Sequence, residues 1–179
     1  MDDIVIIDNF LAEKEFVTLR DVVSGEYFPW FFSKAHTTHP YEENNISPGQ
    51  FIHMIYTNLV PTSPHYDSHF HPILKALNVS VLTRVKLNLN PRLSEPFYSE
   101  FHIDALKYPE DIVHQFSTSI FYMNTNNGYT ELKDGTKVES VANRLVTFPA
   151  NIEHRGVTQT DEQRRIVINF NYLKNPNKK

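Results

Sequence analysis

The stretch QFSTSIFYMNTNNGYTELKDGTKVESVANRLVTF, residues 115–148, contains four short segments that the residue pattern predicts to be β-strands. β-Branched and aromatic residues are frequent in these segments, and such side chains pack well on a pleated surface. The segments are separated by turn sequences that include Asn126-Asn127-Gly128 and Asp134-Gly135. The stretch therefore predicts a β-rich fold built from short, closely connected strands.

The same pattern extends in both directions from this stretch. The eight predicted strands span residues 79–90, 100–104, 115–124, 129–132, 137–141, 144–148, 155–158 and 165–172. Strands at such short and regular intervals favour a double-sheet jelly roll, also called a double-stranded β-helix. We therefore expect a mainly β protein with flanking helices.

The first 78 residues have a different pattern, and we predict that they form a helical and loop buttress for the jelly roll. Apolar residues recur at helical spacing across residues 11–23, with Asp8 or Asn9 as the helix cap and Gly25 as its stop. The predicted buried stripe of this helix consists of Leu11, Phe16, Leu19, Val22 and Val23. A second, short helix is expected at residues 72–77, because a proline occupies its first turn.

The segment 27–66 is rich in aromatic residues and contains five prolines, so we predict loops and short strands there. We further expect residues 27–71 to form a lid over a site in the jelly roll. The sequence shows no repeat and no linker. We therefore predict a single domain, residues 1–179, in which residues 79–173 form the jelly-roll core.

The composition excludes several functional classes. The 179 residues are 40% hydrophobic and 13% aromatic, which indicates a globular domain. There are no cysteines, so disulfide bonds, zinc–thiolate sites and thiol catalysis are excluded. The net charge of −4 gives no basic field for strong non-specific binding to nucleic acid. The sequence has neither a secretory signal nor an apolar run of the roughly 18–20 residues that cross a bilayer, so we expect a cytoplasmic protein with no membrane partner.

The sequence Phe101-His102-Ile103-Asp104 points to a metal site. Side chains two apart on a strand project from the same face, so His102 and Asp104 are expected to lie together. His154, from a later strand, supplies a third ligand. Two imidazoles and one carboxylate suit Fe(II) and leave coordination positions open. We therefore predict His102, Asp104 and His154 as metal ligands.

A second His-x-Asp sequence, His65-Tyr66-Asp67, is followed closely by His69 and His71. This cluster is the alternative metal site. However, prolines at positions 61, 64 and 72 bracket it, and no strand follows that would hold it rigid. We expect it to lie in a loop near the entrance to the site.

Two arginines, Arg164 and Arg165, begin the last strand, and a guanidinium rooted in an apolar strand is suited to bind a carboxylate with two hydrogen bonds. Their side chains point to opposite faces, so only one enters the barrel. We favour Arg165, because the polar residues of the strand then face the site and its apolar residues face the helices; Arg164 inward is the alternative register. The residues that accompany Arg165 inward are Val167, Asn169 and Asn171. The outward residues are Ile166, Ile168 and Phe170.

Four stretches of the chain together resemble the Fe(II)/2-oxoglutarate-dependent dioxygenases, particularly the prolyl-4-hydroxylase-like branch. They are residues 101–104, 119–124, 127–130 and 148–165, and the resemblance covers about residues 79–173. It implies Fe(II) on the two histidines and the aspartate named above, with 2-oxoglutarate and O2 at the open positions. It also implies a hydroxylase that releases succinate and CO2 and uses no catalytic side chain beyond the metal centre.

The resemblance further implies which residues bind 2-oxoglutarate. Arg165 corresponds to the family's anchor for the distal carboxylate, and Tyr122 is at the position of a tyrosine that assists the anchor. Asn90 stands where some members carry a second tyrosine. We assign Asn169 to the same pocket, because it accompanies Arg165 on the inward face.

The residues alone leave two other functional classes open. A cupin-like small-molecule binder or non-oxidative isomerase uses its metal as a Lewis acid, although cupin sites usually contain more histidines. A β-sandwich interaction module requires the His and Asp spacing to be accidental. The sequence identifies neither the oligomeric state nor the substrate, for which a peptidyl proline, another protein side chain, a free amino acid and a nucleobase all fit.

Overall fold

A computed structural model describes residues 4–34, 47–104 and 110–175 of the chain. Its strands are β1 (Val5–Ile7), β2 (Phe31–Ser33), β3 (Gln50–Thr57), β4 (Val60–Pro61), β5 (Val79–Pro91), β6 (Phe116–Tyr122), β7 (Tyr129–Leu132), β8 (Lys137–Glu139), β9 (Leu145–Pro149), β10 (His154–Val157) and β11 (Arg164–Lys174). Its helices are α1 (Glu13–Ser24), α2 (His71–Ala76) and α3 (Glu110–Val113), and a π-helical turn (Tyr66–Phe70) leads directly into α2. Within these described ranges, no helix has the length and apolar character needed to span a membrane.

The strands form two antiparallel sheets. The larger sheet has the order β1-β9-β6-β11-β5-β3-β2, with β4 paired to β3, and the smaller sheet has the order β10-β7-β8. One hydrophobic cluster joins the two sheets; its buried members are Ile120, Tyr122, Leu132, Val138, Val146, Phe148 and Val167. The predicted mainly β architecture with flanking helices is confirmed. It also extends further toward the amino terminus than predicted, because β1 to β4 precede residue 79.

Helices α1 and α2 cover the other face of the larger sheet. Phe16 of α1 and Ile73 of α2 are buried in a second hydrophobic cluster, together with Ile168 and Phe170 of β11. The apolar side chains on alternate positions of β11 therefore face the helices, as predicted. Gly25 ends α1, which also agrees with the prediction.

The predicted cap of α1 at Asp8 or Asn9 is wrong. The helix begins after Ala12, and no side chain caps its first turn. The chain before the helix is instead held by Asn143, whose side chain accepts a hydrogen bond from the Leu11 N–H and donates one to the Leu11 carbonyl, both at 2.9 Å. A long-range hydrogen-bonded pair thus holds the chain that enters the helix, and the N–H groups of the first turn have no side-chain cap.

The segment 27–71 is more regular than predicted in its described part. Strand β3 is eight residues long and pairs with both β2 and β5, so the prediction of only loops and short strands is wrong there. A shift of register near Ile55 and the buried polar residues Gln50 and His53 interrupt the apolar alternation, which is why the pattern did not reveal the strand. Residues 35–46, which also belong to the predicted lid, lie outside the described residues.

The predicted strand at residues 100–104 is also wrong. His102 forms one isolated antiparallel bridge with His154, and no continuous ladder develops around it. Nearby, the Gly156 N–H donates to the hydroxyl of Ser99 at 3.0 Å and not to a backbone carbonyl. A side chain therefore replaces a backbone acceptor and interrupts the regular pairing.

Candidate metal centre and adjoining cavity

Three side chains able to bind a metal converge beside a cavity between the sheets. Ligand atoms of His102, Asp104 and His154 all lie within 4.8 Å of one another, and no other such group occurs in the part of the chain that the structure describes. The bridge between the two histidines causes this convergence. The backbone N–H of each donates to the carbonyl of the other, at 2.9 and 3.0 Å, and the ring centroids are 4.7 Å apart. The structure thus brings together the three residues predicted as ligands.

Backbone carbonyls fix the orientation of both imidazoles. The Nδ1 atom of His102 lies 3.0 Å from the Glu100 carbonyl, and that of His154 lies 3.2 Å from the Ile152 carbonyl. With Nδ1 donating, each Nε2 carries a free lone pair, and these atoms lie 3.7 and 3.9 Å from the Asp104 carboxylate. The Nε2 atom of His154 is fully buried and has no hydrogen-bond partner among the described residues. The free lone pair of this nitrogen faces a carboxylate. Both groups can donate electron pairs to a divalent cation, so together they are suitable metal ligands.

Burial and charge keep these groups in the protonation states suited to a metal. Burial lowers the pKa of His154 to about 4, although Asp104 opposes the shift, so the imidazole is neutral at neutral pH. Burial raises the pKa of Asp104, but the adjacent Arg84 guanidinium and the two imidazoles outweigh burial and hold that pKa well below its usual range. Neutral imidazole and ionised carboxylate are the forms that bind metal.

Arg165 is a buried cation that has no acidic partner among the described residues. The residue is 3% exposed, and no acidic side chain in the described part of the chain pairs with it. Its Nε donates to the Ser140 hydroxyl at 2.8 Å, and one terminal nitrogen donates to the Thr130 hydroxyl at 3.4 Å. Burial lowers the pKa of the guanidinium, yet an arginine begins so high that it remains charged. Arg164, by contrast, is exposed.

The surroundings of Arg165 hold its side chain in one place. Tyr122 lies beneath the guanidinium, with its ring centroid 5.7 Å away, and its hydroxyl donates to Thr130 at 2.8 Å. A Cβ atom at Gly128 would approach Arg165 Cδ to 2.8 Å, so only glycine fits against this side chain. Tyr122 is therefore a supporting residue behind Arg165 and does not line the cavity.

Polar residues at every second position of β5 line the cavity. Its volume is about 70 Å³. It lies between Arg165 and the triad, the name used below for His102, Asp104 and His154. The lining residues from β5 are Arg84, Lys86, Asn88 and Asn90. Across the sheet, Asn90 pairs with Arg165, so the predicted pocket residue is beside the predicted anchor. The remaining predicted pocket residue, Asn169, pairs with Lys86 at the other end of the row.

Two polar side chains from the larger sheet bind Asp104. Arg84 forms an ion pair with one carboxylate oxygen at 2.7 Å and also donates to Asn171 at 2.9 Å. Asn169 donates from Nδ2 to the other carboxylate oxygen at 3.3 Å, while its Oδ1 is buried without a partner among the described residues. Asn169 was predicted as a co-substrate residue, and in this structure its one hydrogen bond is to the triad.

The alternative histidine cluster does not form a comparable group. Asp67 pairs with His71 at 3.3 Å, and both side chains are more than half exposed. Asp67 and His69 lie on the π-helical turn that precedes α2, so the expected loop is wrong here. His65 and His69 also contact each other, with ring centroids 5.8 Å apart, but no three ligand atoms of this cluster come together as those of His102, Asp104 and His154 do.

Sequence analysis overlooked three residues that shape the cavity: Arg84, Thr130 and Ser140. Arg84 continues the alternation that runs from Lys86 to Asn90, so extending that pattern by one step would have found it. The two hydroxyl residues give no such signal, because short hydroxyl side chains are common in strands and turns.

The chain is similar to a prolyl-4-hydroxylase from Pseudomonas putida, with a TM-score of 0.58, 15% identity, and coverage of 98% of this chain and 94% of that one. It is similar to a prolyl hydroxylase from Trichoplax adhaerens in complex with a hypoxia inducible factor peptide, with a TM-score of 0.66, 17% identity, and coverage of 97% and 84%. A 2OG-Fe(II) oxygenase family oxidoreductase from Burkholderia pseudomallei gives a TM-score of 0.67, 11% identity, and coverage of 96% and 85%.

No protein-family model and no curated protein sequence matches the chain. The three solved structures share little sequence identity with the chain, so their similarity establishes the fold alone. The predicted jelly roll is thereby confirmed, and the chain has the fold of the prolyl hydroxylases and 2OG-Fe(II) oxygenases.

Proposed function

We propose that this protein is an Fe(II)- and 2-oxoglutarate-dependent dioxygenase that hydroxylates its substrate and releases succinate and CO2. The observation that carries the proposal is the pairing of two features in one cavity. One is the group formed by His102, Asp104 and His154, and the other is the buried Arg165, which no described acidic side chain pairs with. A metal and a dicarboxylate are the ligands that these two features require together.

The donor set fits Fe(II). Two neutral imidazole nitrogens and one carboxylate occupy one side of the position between them, which leaves the cavity side open. The buried Nε2 of His154 has no partner in the described part of the chain, and a bound cation would accept its lone pair. When bound there with 2-oxoglutarate, Fe(II) would supply the activation of O2.

The residues of the chain would bind and orient the co-substrate. Arg165 would pair with the distal carboxylate of 2-oxoglutarate, since a guanidinium matches a carboxylate with two parallel hydrogen bonds. Thr130 and Ser140 hold the guanidinium, and Tyr122 holds Thr130 through its hydroxyl. Asn90, opposite Arg165 on β5, would line the same end of the pocket.

The other polar residues would position the triad and limit access of water. Asn169 and Arg84 together engage both oxygens of Asp104, which restricts rotation of the carboxylate. The side chains around the cavity would displace water from the reacting atoms once substrate is bound, and exclusion of water protects a reactive oxidant from side reactions. No further side chain acts as an acid or a base in this proposal.

A non-oxidative cupin-like metal protein is the principal rival function. Such a protein needs a metal, but it does not need a buried cation at the far end of the cavity. The burial of Arg165 without an acidic partner among the described residues therefore favours the 2-oxoglutarate-dependent reaction.

The experiment that tests the proposal is a succinate-release assay with Fe(II), 2-oxoglutarate and O2. The substrate panel contains proline peptides, peptides with other side chains, free amino acids and nucleobases. We expect succinate formation that requires Fe(II) and rises with one panel class, and we expect Asp104→Ala to abolish it. Exposed Asp67→Ala is the matched control. Isomerisation or turnover without 2-oxoglutarate would contradict the proposal.

Three finer points belong to the same proposal. The aromatic segment 27–66 is proposed to select the substrate. The protein is proposed to act in the cytoplasm. It is also proposed to lack strong non-specific binding to nucleic acid, which its net charge of −4 supports.

A further inference from the structure

We propose that the substrate carries an anionic group, a carboxylate or a phosphate, that binds the ammonium of Lys86 inside the cavity. This inference rests on the function proposed above and names the substrate class for the same site. It begins from an imbalance of charge in the cavity lining.

The lining of the cavity contains three cations and one carboxylate. Arg84, Lys86 and Arg165 are positive, and Asp104 is the one acidic residue among the described lining residues. The lining therefore has two positive charges in excess when the histidines are neutral. Loading the site with a metal dication and the 2-oxoglutarate dianion leaves this excess unchanged. A buried excess of positive charge is costly, and a further anion would reduce it.

Among the described residues that line the cavity, Lys86 is the cation without a partner. Arg84 is already paired with Asp104, and Arg165 is at the proposed 2-oxoglutarate site. Lys86 forms no ion pair and no side-chain hydrogen bond with any described residue. Burial and the neighbouring Arg84 lower the pKa of Lys86 to about 8, so most molecules keep this charge at neutral pH. Its long side chain lines the cavity and is partly buried.

The position of Lys86 separates it from the proposed co-substrate anchor. In the sheet, Arg165 pairs with Asn90, and Lys86 pairs with Asn169. The four-residue offset places Lys86 roughly 13 Å from Asn90 along the strand. Asn169 also donates to Asp104, so Lys86 is level with the metal centre. An anion held there would belong to the molecule whose carbon reacts and not to the distal end of 2-oxoglutarate.

A lysine is suited to this role because its ammonium is a compact point charge with three donors. It does not demand the planar geometry that a guanidinium prefers. Carboxylate and phosphate share the required chemistry, and a titration distinguishes them. Acetate and methyl phosphate are used as probes, with acetamide as the neutral control of the same shape as acetate.

The test follows the Cε resonances of the lysines by NMR in protein made with ¹³C-labelled lysine and loaded with Zn(II) and 2-oxoglutarate. The Lys86→Arg variant identifies the Lys86 signal, because that signal is absent from its spectrum while the positive charge at this position is kept. We expect acetate or methyl phosphate to shift this signal saturably, at a concentration at least about tenfold lower than for exposed Lys75. Acetamide should have no effect. Equal response of Lys86 and Lys75 to both anions would overturn the inference.

A second measurement separates this site from the co-substrate site. Lys86→Gln and Lys86→Arg should both bind 2-oxoglutarate without O2 with affinity within about twofold of the wild type. If Lys86→Gln instead weakens 2-oxoglutarate as strongly as Arg165→Met does, Lys86 belongs to the co-substrate site and the inference is wrong. If neither metal nor 2-oxoglutarate binds, the proposed function fails by itself. The anion titration of the unloaded protein then still decides whether Lys86 is an anion site.

Discussion

Arg84 and Asp104 form an ion pair of 2.7 Å in which the carboxylate side chain is only 6% exposed. The pair joins the larger sheet to the irregular segment that carries two of the three triad residues. It therefore holds Asp104 in position before any metal binds. Because the pair is buried, its loss should strongly affect stability: a buried carboxylate that loses its cation is strongly destabilised.

Replacing Arg84 should show how strongly the stability of the protein depends on this ion pair. Arg84→Met is expected to lower the free energy of unfolding of the metal-free protein by about 3 kcal/mol, because it leaves the Asp104 carboxylate buried with one cation fewer. Urea unfolding in the presence of a chelator measures the change. Arg144→Met is the matched control, since Arg144 pairs with Asp8 at 2.6 Å but Asp8 is exposed. The control variant should lose much less free energy of unfolding. Equal losses in the two variants would show that the buried pair contributes no more to stability than the exposed one.

The proposed metal site predicts the effect of removing one imidazole. His102→Ala should largely abolish binding of Fe(II), because two remaining ligands no longer hold the cation from three sides. His65→Ala should leave binding nearly intact, since His65 lies outside the triad. Anaerobic Fe(II) titration compares the two variants. A requirement for His65 together with tolerance of His102→Ala would move the metal to the alternative cluster.

The proposed anchor predicts a difference between two adjacent arginines. Arg165→Met should weaken anaerobic binding of 2-oxoglutarate by about 2–5 kcal/mol, the range for deleting one partner of a buried charge pair. Arg164→Met should have a much smaller effect, because Arg164 is exposed. Calorimetric titration of both variants in the presence of metal measures the difference. Equal or reversed effects would contradict the assignment of Arg165.

Gly128 tests whether Arg165 must be held in place. In Gly128→Ala the new methyl group would lie 2.8 Å from Arg165 Cδ and from the Val157 carbonyl, so the arginine or the hairpin must move. We expect affinity for 2-oxoglutarate to fall by about tenfold, equivalent to about 1.4 kcal/mol, with little change in affinity for the metal. Calorimetry with each ligand separates the two effects. Unchanged binding of 2-oxoglutarate would mean that the exact place of Arg165 is unimportant.

Lys86 makes stability depend on pH in the alkaline range. Its pKa is lowered from 10.5 to about 8 in the folded protein, so between these values the unfolded chain binds more protons. The free energy of unfolding contributed by this group therefore rises with pH across the window and is lost as the pH falls through about 8. The wild type should gain stability relative to Lys86→Met by on the order of 3 kcal/mol from pH 8 to 10.5. Urea unfolding without metal measures this, and a constant difference would contradict it.

Much of the fold was predictable, because alternation of apolar residues is a local property. Strand β11 shows this clearly, since the outward direction of Ile168 and Phe170 followed from their spacing. Strand β3 was missed, because a bulge and the buried polar residues Gln50 and His53 break the alternation that pattern analysis uses. These residues are tolerated there through tertiary contacts, such as the 2.8 Å hydrogen bond between His53 and Ser63, which no local pattern records.

The candidate site was predictable where residue chemistry alone limits the choice. His102, Asp104 and His154 were identified by type and order, although the strand expected to hold the first two is absent from residues 100–104. A single bridge between the histidines achieves the same convergence. The partners of Asp104 were less accessible to sequence analysis, because Arg84 and Asn169 meet it from strands that are distant in the chain.

The measurement that tests the central claim most directly is anaerobic calorimetric titration of 2-oxoglutarate into the wild-type protein, with and without Fe(II). Glutarate, which has both carboxylates but lacks the 2-oxo group, is the matched control ligand. If the triad holds iron and Arg165 holds the distal carboxylate, 2-oxoglutarate should bind the Fe(II)-loaded protein but not the metal-free protein, and at least about a hundredfold more tightly than glutarate. Binding that does not need the metal, or equal affinity for the two dicarboxylates, would contradict the account.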